Sequence, residues 1–222
     1  AMAAGNLGET KNQGMELELH HHRNLTKDLS YNVGFTFSHA ANEIINMNEP
    51  AIKTAYRKQE GHPIGQYFGL ICEGYITQAD INSGKLPVST YTSKVQPGDL
   101  KYKDMNNDGF IDDRDETYIG NSDIPENTYA LSLGCNYKGW GFDVMFQGVD
   151  HVSRYYDSDA MFAFQNNGKV KNVHLGRWIP TQTEEWNLAN ATYPLLHYGS
   201  NGDHNQRRNS FFLQNGAFVR LK

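Results

Sequence analysis

Cysteine is nearly absent. Cys72 and Cys135 are the two in 222 residues, too few for a disulfide framework and without the paired spacing of a metal site. No run of about eighteen apolar residues occurs, which excludes a membrane-spanning helix. That absence leaves a barrel open, because barrel strands alternate and never build a long apolar run. A basic excess is also missing: the net charge is −5, so no cationic field calls for nucleic acid. The catalytic signatures Gly-x-Ser-x-Gly and His-Glu-x-x-His and the phosphate loop are not found. Adjacent acids such as Glu184-Glu185 read as solvated loop residues rather than a glycosidase pair. The first residues, Ala1-Met2-Ala3-Ala4-Gly5, lack the charged and apolar regions of a signal peptide. The His20-His21-His22 run is internal and followed by Arg23-Asn24, so it reads as an exposed strand end.

What is abundant is turn chemistry and alternation. Twenty-one glycines with many Asn and Asp favour β-structure over helix. Period-2 patterning predicts strands at about 14–21, 29–38, 129–137 and 140–147, with a fifth at 217–222. In the second, Leu29, Tyr31, Val33, Phe35 and Phe37 share one face, and small or polar residues share the other. Lys138-Gly139 alone joins the third and fourth, a tight hairpin. Between the hairpins lie long polar stretches, about 42–128 and 148–210, and loops of that length are usually functional. Short turns at one end and long excursions at the other fit an outer-membrane barrel. Tyr31, Tyr137 and Trp140 near the short turns form an aromatic girdle, with Tyr129 at the other edge. Alternation by itself fits a soluble β-sandwich equally well. Five strands cannot close a channel-bearing barrel, so the fold expected is all-β: a fragment of a large antiparallel transmembrane β-barrel, residues 1–222 forming part of one domain.

Residues 104–115 carry the clearest chemistry. Side-chain oxygens from Asp104, Asn106, Asp108, Asp112 and Asp115 fall at positions 1, 3, 5, 9 and 12 of a calcium-type loop. Gly109 takes the sharp turn at position 6, the Phe110 carbonyl can supply position 7, and Ile111 can anchor the loop to a core. Asp in place of Glu at position 12 shortens the bidentate arm without removing it. A structural Ca2+ is the expected cofactor. An Asn/Asp/Gly turn that binds nothing is the plain alternative. Four aromatics of the second excursion, Tyr155, Tyr156, Trp178 and Trp186, are candidates for substrate or partner contact; a local core built from them is the competing reading.

Four segments together resemble the C-terminal barrel region of SusC/RagA-type TonB-dependent transporters. They are Asn12-Gln13-Gly14-Met15-Glu16; Gly61 to Gly69 with Pro63 and Gly65; Pro97-Gly98-Asp99-Leu100-Lys101-Tyr102-Lys103-Asp104 running on to Ile119-Gly120; and Phe218-Val219-Arg220-Leu221-Lys222. The resemblance implies a barrel of about 22 strands, located in the cell outer membrane, that imports oligosaccharides or peptides. It also implies a SusD-like surface lipoprotein and TonB as partners, and extracellular long loops. The family's plug and its N-terminal and TonB-contacting segments have no counterpart in these residues. The alternative is a soluble secreted carbohydrate-binding or adhesion module stabilised by calcium, in which the apolar strand faces bury one another. A dockerin is rejected because the loop occurs once and follows strand-like residues.

Overall fold

The computed structural model describes residues 8–50, 54–165, 168–198 and 203–222. The N-terminal residues 1–5 discussed above lie outside them, as do short parts of both long excursions. The described residues divide into two compact units.

The first unit holds the residues up to Tyr67, together with Gly120–Arg154 and Asn215–Lys222. Its framework is one antiparallel five-stranded sheet, in the order Glu9–Asn24, Leu29–Asn46, Asn127–Tyr137, Trp140–Asp150 and Phe218–Leu221. All five expected strands are present, and the first two run well past the expected ends. The excursion placed from residue 42 therefore starts only after Asn46, and the one placed from 148 starts after Asp150. Alternation stops near Ser38, but backbone pairing continues through Thr10↔Ile44, with an irregularity between Glu9 and Thr10. Ladder hydrogen bonds hold that part, so it needs no apolar face.

Register sorts the side chains into two faces. One row across the sheet is Leu19, Phe35, Leu131, Phe146 and Leu221, and its neighbour is Leu17, Phe37, Tyr129, Gly148 and Val219. The opposite face carries Glu18, Thr36, Ala130, Gln147 and Arg220 in one row, where Arg220 donates to the Gln147 side chain at 3.0 Å. The apolar rows are open at the flanking strands, where Leu19 is 55% exposed and Leu221 64%, and Phe142, near the tight hairpin, is 65% exposed. Lys138 and Gly139 both take positive φ, the geometry of a type I′ turn, whose twist matches the flanking strands. The neighbouring turn is tied to it by Lys138 N–H donating to the Asp28 carbonyl at 2.9 Å.

The second unit, Phe68–Ile119 with the described residues of Tyr155–Gln214, is built from the two excursions. They are not structureless. Short strands Cys72–Tyr75 and Leu100–Tyr102 pair antiparallel, and Val88–Ser89 pairs parallel with Phe110–Ile111. Short helices cover Gln78–Asn82 and Glu184–Asn190. A buried cluster of Leu70, Leu100, Tyr102, Ile111, Phe162, Tyr193 and Phe212 forms a core of its own. The sequence concealed this core because its members are scattered singly through polar stretches and meet only by long-range pairing. No described helix is long and apolar enough to cross a membrane, which says nothing about strands.

Candidate metal loop and loop-unit surface

The acidic loop is shaped by backbone donors turned onto its carboxylates. Gly109 N–H donates to Asp104 Oδ2 at 2.8 Å, and Asp108 N–H to Asn106 Oδ1 at 2.9 Å. Asp115 is fully buried; Met105 N–H donates to its Oδ1 and Asp112 N–H to its Oδ2, each at 2.9 Å. Ile111, 3% exposed, inserts into the core. Phe110 and Ile111 pair with Val88 and Ser89, fixing the centre of the loop as a strand.

Two of the expected ligands are engaged otherwise. Arg114 donates through Nε and Nη2 to both oxygens of Asp112, and its Nη2 lies 2.7 Å from Asp108 Oδ2. Asp112 and Asp108 hold the Arg114 guanidinium above its ordinary pKa, the hydrogen bond to Asp112 being the larger cause. Among the described residues, no three His, Cys, Asp or Glu side chains converge at metal-holding distance. One atom fits a cation nonetheless. Asp104 Oδ1 is buried and has no hydrogen-bond partner, an arrangement that costs free energy unless something positive fills it. The donor set of carboxylate, amide and carbonyl oxygens suits a hard cation.

The four aromatic candidates part company. Trp178 is 3% exposed, packs at a tilt against Tyr75 with ring centroids 5.5 Å apart, and donates its backbone N–H to Tyr193 O. Tyr155 packs against the core; its hydroxyl accepts from Asn209 N–H at 3.1 Å, and burial pushes its pKa up to about 12. Both rings are taken by packing. Tyr156 and Trp186, 51% and 41% exposed, have surface left to offer.

Sequence reasoning missed a buried polar network that bolts residues 197–209 to residues 89–102. Asp99 accepts from His197 Nε2, Asn205 Nδ2 and Gln96 N–H at 2.5, 2.9 and 2.8 Å. His204 accepts at Nδ1 from the Ser89 hydroxyl and donates from Nε2 to the Leu100 carbonyl, both at 2.7 Å. Burial holds the His204 imidazole below its ordinary pKa. Arg207 reaches the acidic loop, with Nη2 2.6 Å from Asp113 Oδ1 and its guanidinium over the Tyr91 ring at 4.3 Å. Apart from Gln96 and Asp99, three residues apart, these partners lie about a hundred positions from one another, and no local pattern announces them. The only hint was that Asp99 stands inside the Pro-Gly-Asp segment.

No family model matches the chain. A curated TonB-dependent receptor, P26 of Formosa agariphila, is 26% identical over 129 residues, covering 56% of this chain and 12% of that protein. The solved RagAB peptide transporter aligns with a TM-score of 0.63 and 20% identity over 98% of this chain and 22% of that one. The RagAB peptide importer in its open-open state gives 0.62 and 17% over 97% and 22%. The chain thus spans about a fifth of those structures and about an eighth of the curated relative. At these identities the likeness is one of fold.

Proposed function

Since this chain has the fold of a region of a SusC/RagA-type TonB-dependent transporter, we propose that it supplies barrel strands and extracellular loops to an outer-membrane nutrient importer. It is a transporter segment and not an enzyme. One observation carries the reading: the five-stranded sheet has a polar face and an apolar face, and among the described residues no second layer buries the apolar one, since Leu17, Leu19, Phe146, Val219 and Leu221 are exposed and Phe35, Phe37, Tyr129 and Leu131 are half-buried. A soluble protein buries such rows against a second layer, whereas a barrel turns them to lipid. Among the described residues, the two edge strands Glu9–Asn24 and Phe218–Leu221 have no neighbour on their outer side in the sheet order. That suits continuation into a larger barrel, since open hydrophobic edges aggregate. The soluble-module alternative requires the apolar faces to bury one another, and Leu17, Leu19, Phe142 and Val219 are exposed.

In this reading the second unit faces the outside, where it meets substrate and a SusD-like lipoprotein, and TonB supplies the energy. Oligosaccharides and peptides are both substrates of the proposed class. The RagAB relatives are named as peptide transporters, which favours peptides. A calcium ion would be held by Asp104, Asn106, Asp108, the Phe110 carbonyl, Asp112 and Asp115. Its role there is to neutralise the acidic loop and brace it against the core. Arg114 supplies that charge in the described conformation, so Arg114 and the ion compete for Asp108 and Asp112.

Membrane fractionation of the intact protein, followed by gels with and without boiling, tests the proposal. An outer-membrane band whose mobility shifts on boiling supports it, and a soluble product with no shift contradicts it.

A further inference from the structure

The second unit also has a pocket whose lining includes no residue of the acidic loop. Phe164, Val170, Lys171, His174, Leu175, Arg177, Leu196 and Tyr198 line a pocket of about 410 Å³, a volume within the range of small-ligand sites. Its floor is fixed. His174 is 1% exposed, donates from Nε2 to the Met161 carbonyl at 2.9 Å and accepts at Nδ1 from Lys171 N–H at 2.8 Å. Its ring packs edgewise on Tyr193, with centroids 4.7 Å apart. The rim, by contrast, is apolar and open: Tyr198 is 77% exposed, Leu175 73% and Val170 53%.

Two features mark this pocket as more than a surface dent. Phe164 holds φ at +61°, a conformation that a bulky side chain adopts only under constraint from its surroundings. In it the ring meets Tyr198 edge-on, at 5.6 Å between centroids. The charge is also one-sided. Residues 168–178 contain Lys169, Lys171 and Arg177 and no acid, in a chain whose net charge is −5. Arg177 donates only a long 3.3 Å bond to the His174 carbonyl, and neither it nor Lys171 pairs with a described carboxylate.

We propose that this pocket binds the carboxylate end of an apolar or aromatic peptide. Arg177 and Lys171 take the carboxylate, and the aliphatic and aromatic rim takes the side chain beside it. A guanidinium fork matches a carboxylate geometrically, and exposed Tyr and Leu cover an apolar side chain at low entropic cost. The inference rests on the transport reading and names a recognition element within it: capture of peptides by their free C-terminus. It separates peptide from neutral oligosaccharide, which has no group for the cations.

The test uses the intact protein in detergent, titrated by calorimetry with N-acetyl-leucyl-phenylalanine and with its C-terminal amide. The acid binds and the amide binds on the order of ten- to a hundredfold more weakly, the loss expected for a charge-assisted hydrogen bond. Arg177→Gln and Lys171→Gln each erode that preference, and Leu175→Glu, at a position too exposed to matter for folding, abolishes acid binding. Equal binding of acid and amide, or no binding of either, overturns the proposal. So does a result in which the dipeptide fails to bind but Arg177→Gln weakens association with the surface lipoprotein, since the pocket would then be a protein dock. A boil-dependent gel shift retained in all variants keeps the transport reading intact if the pocket proposal fails.

Discussion

The indole of Trp178 fills the space where a Cβ on Gly98 would stand. A methyl there would fall 2.3 Å from Trp178 Cγ, and Gly98 also holds φ at +94°. The Pro97-Gly98-Asp99 segment is thus a packing requirement: the glycine admits the ring, and the next residue opens the buried network at Asp99. Gly98→Ala is expected to destabilise the second unit by about 2–4 kcal/mol, combining overpacking with backbone strain. Limited proteolysis of residues 68–119 in the intact protein checks this. Unchanged protection would contradict the packing account.

Calcium should raise the thermal stability of the second unit, and a chelator should reverse the gain. At a free concentration of about a hundred times Kd the stabilisation is about 2.7 kcal/mol. Asp104→Asn weakens the effect by removing the negative charge of the carboxyl whose Oδ1 is buried without a hydrogen-bond partner. Arg114→Gln strengthens it by removing the competing guanidinium. Melting curves that ignore calcium in all three proteins would dismiss the ion and leave Arg114 as the resident counter-charge.

The second unit should also weaken in mild acid. The folded His204 pKa lies below its ordinary 6.5 because burial disfavours the imidazolium, so the unfolded chain binds the proton more readily. Stability is full above about pH 6.5 and falls as pH drops through that value toward the lower folded pKa. Protonation would place a second N–H at Nδ1, which now accepts from Ser89. His204→Gln should flatten this part of the pH profile, measured as hydrogen-exchange protection of residues 89–102. A profile identical to the parent's would assign the acid sensitivity elsewhere.

The two faces of the first strand should tolerate charge unequally. Leu19→Arg on the apolar face is expected to cost about 2–4 kcal/mol if it lies at mid-depth in lipid. Glu18→Arg, one residue away on the polar face, should cost little. Refolding yields into lipid vesicles compare the two, and equal penalties would contradict the assignment of faces.

How far the sequence could be read follows from where its information is local. Leu29 to Phe37 alternate because each apolar side chain faces the same environment, so that strand was legible. His39 to Asn46 belong to the same strand but are held by pairing with residues 9–15, a non-local cause that leaves no pattern. The acidic loop was legible because its oxygens and Gly109 act within twelve residues. Engagement of Asp108 and Asp112 by Arg114 was not, since it depends on where one long side chain turns. For Trp178 the sequence left surface contact and a local core both open; what decides for the core is Gly98, eighty positions earlier, whose missing Cβ makes room for the ring. The pocket around Arg177 and Tyr198 was equally invisible, being assembled from three segments that no motif connects.

The central claim, that the sheet is a wall between lipid and a wet interior, is tested most directly by alternate-residue labelling. With Cys72 and Cys135 replaced, single cysteines at Leu17, Glu18, Leu19, Phe35, Thr36 and Ser132 carry a fluorophore in the reconstituted protein, and a lipid-confined quencher is added. The account predicts strong quenching at Leu17, Leu19 and Phe35, and little at Glu18, Thr36 and Ser132. Uniform quenching, or none on either face, would contradict it.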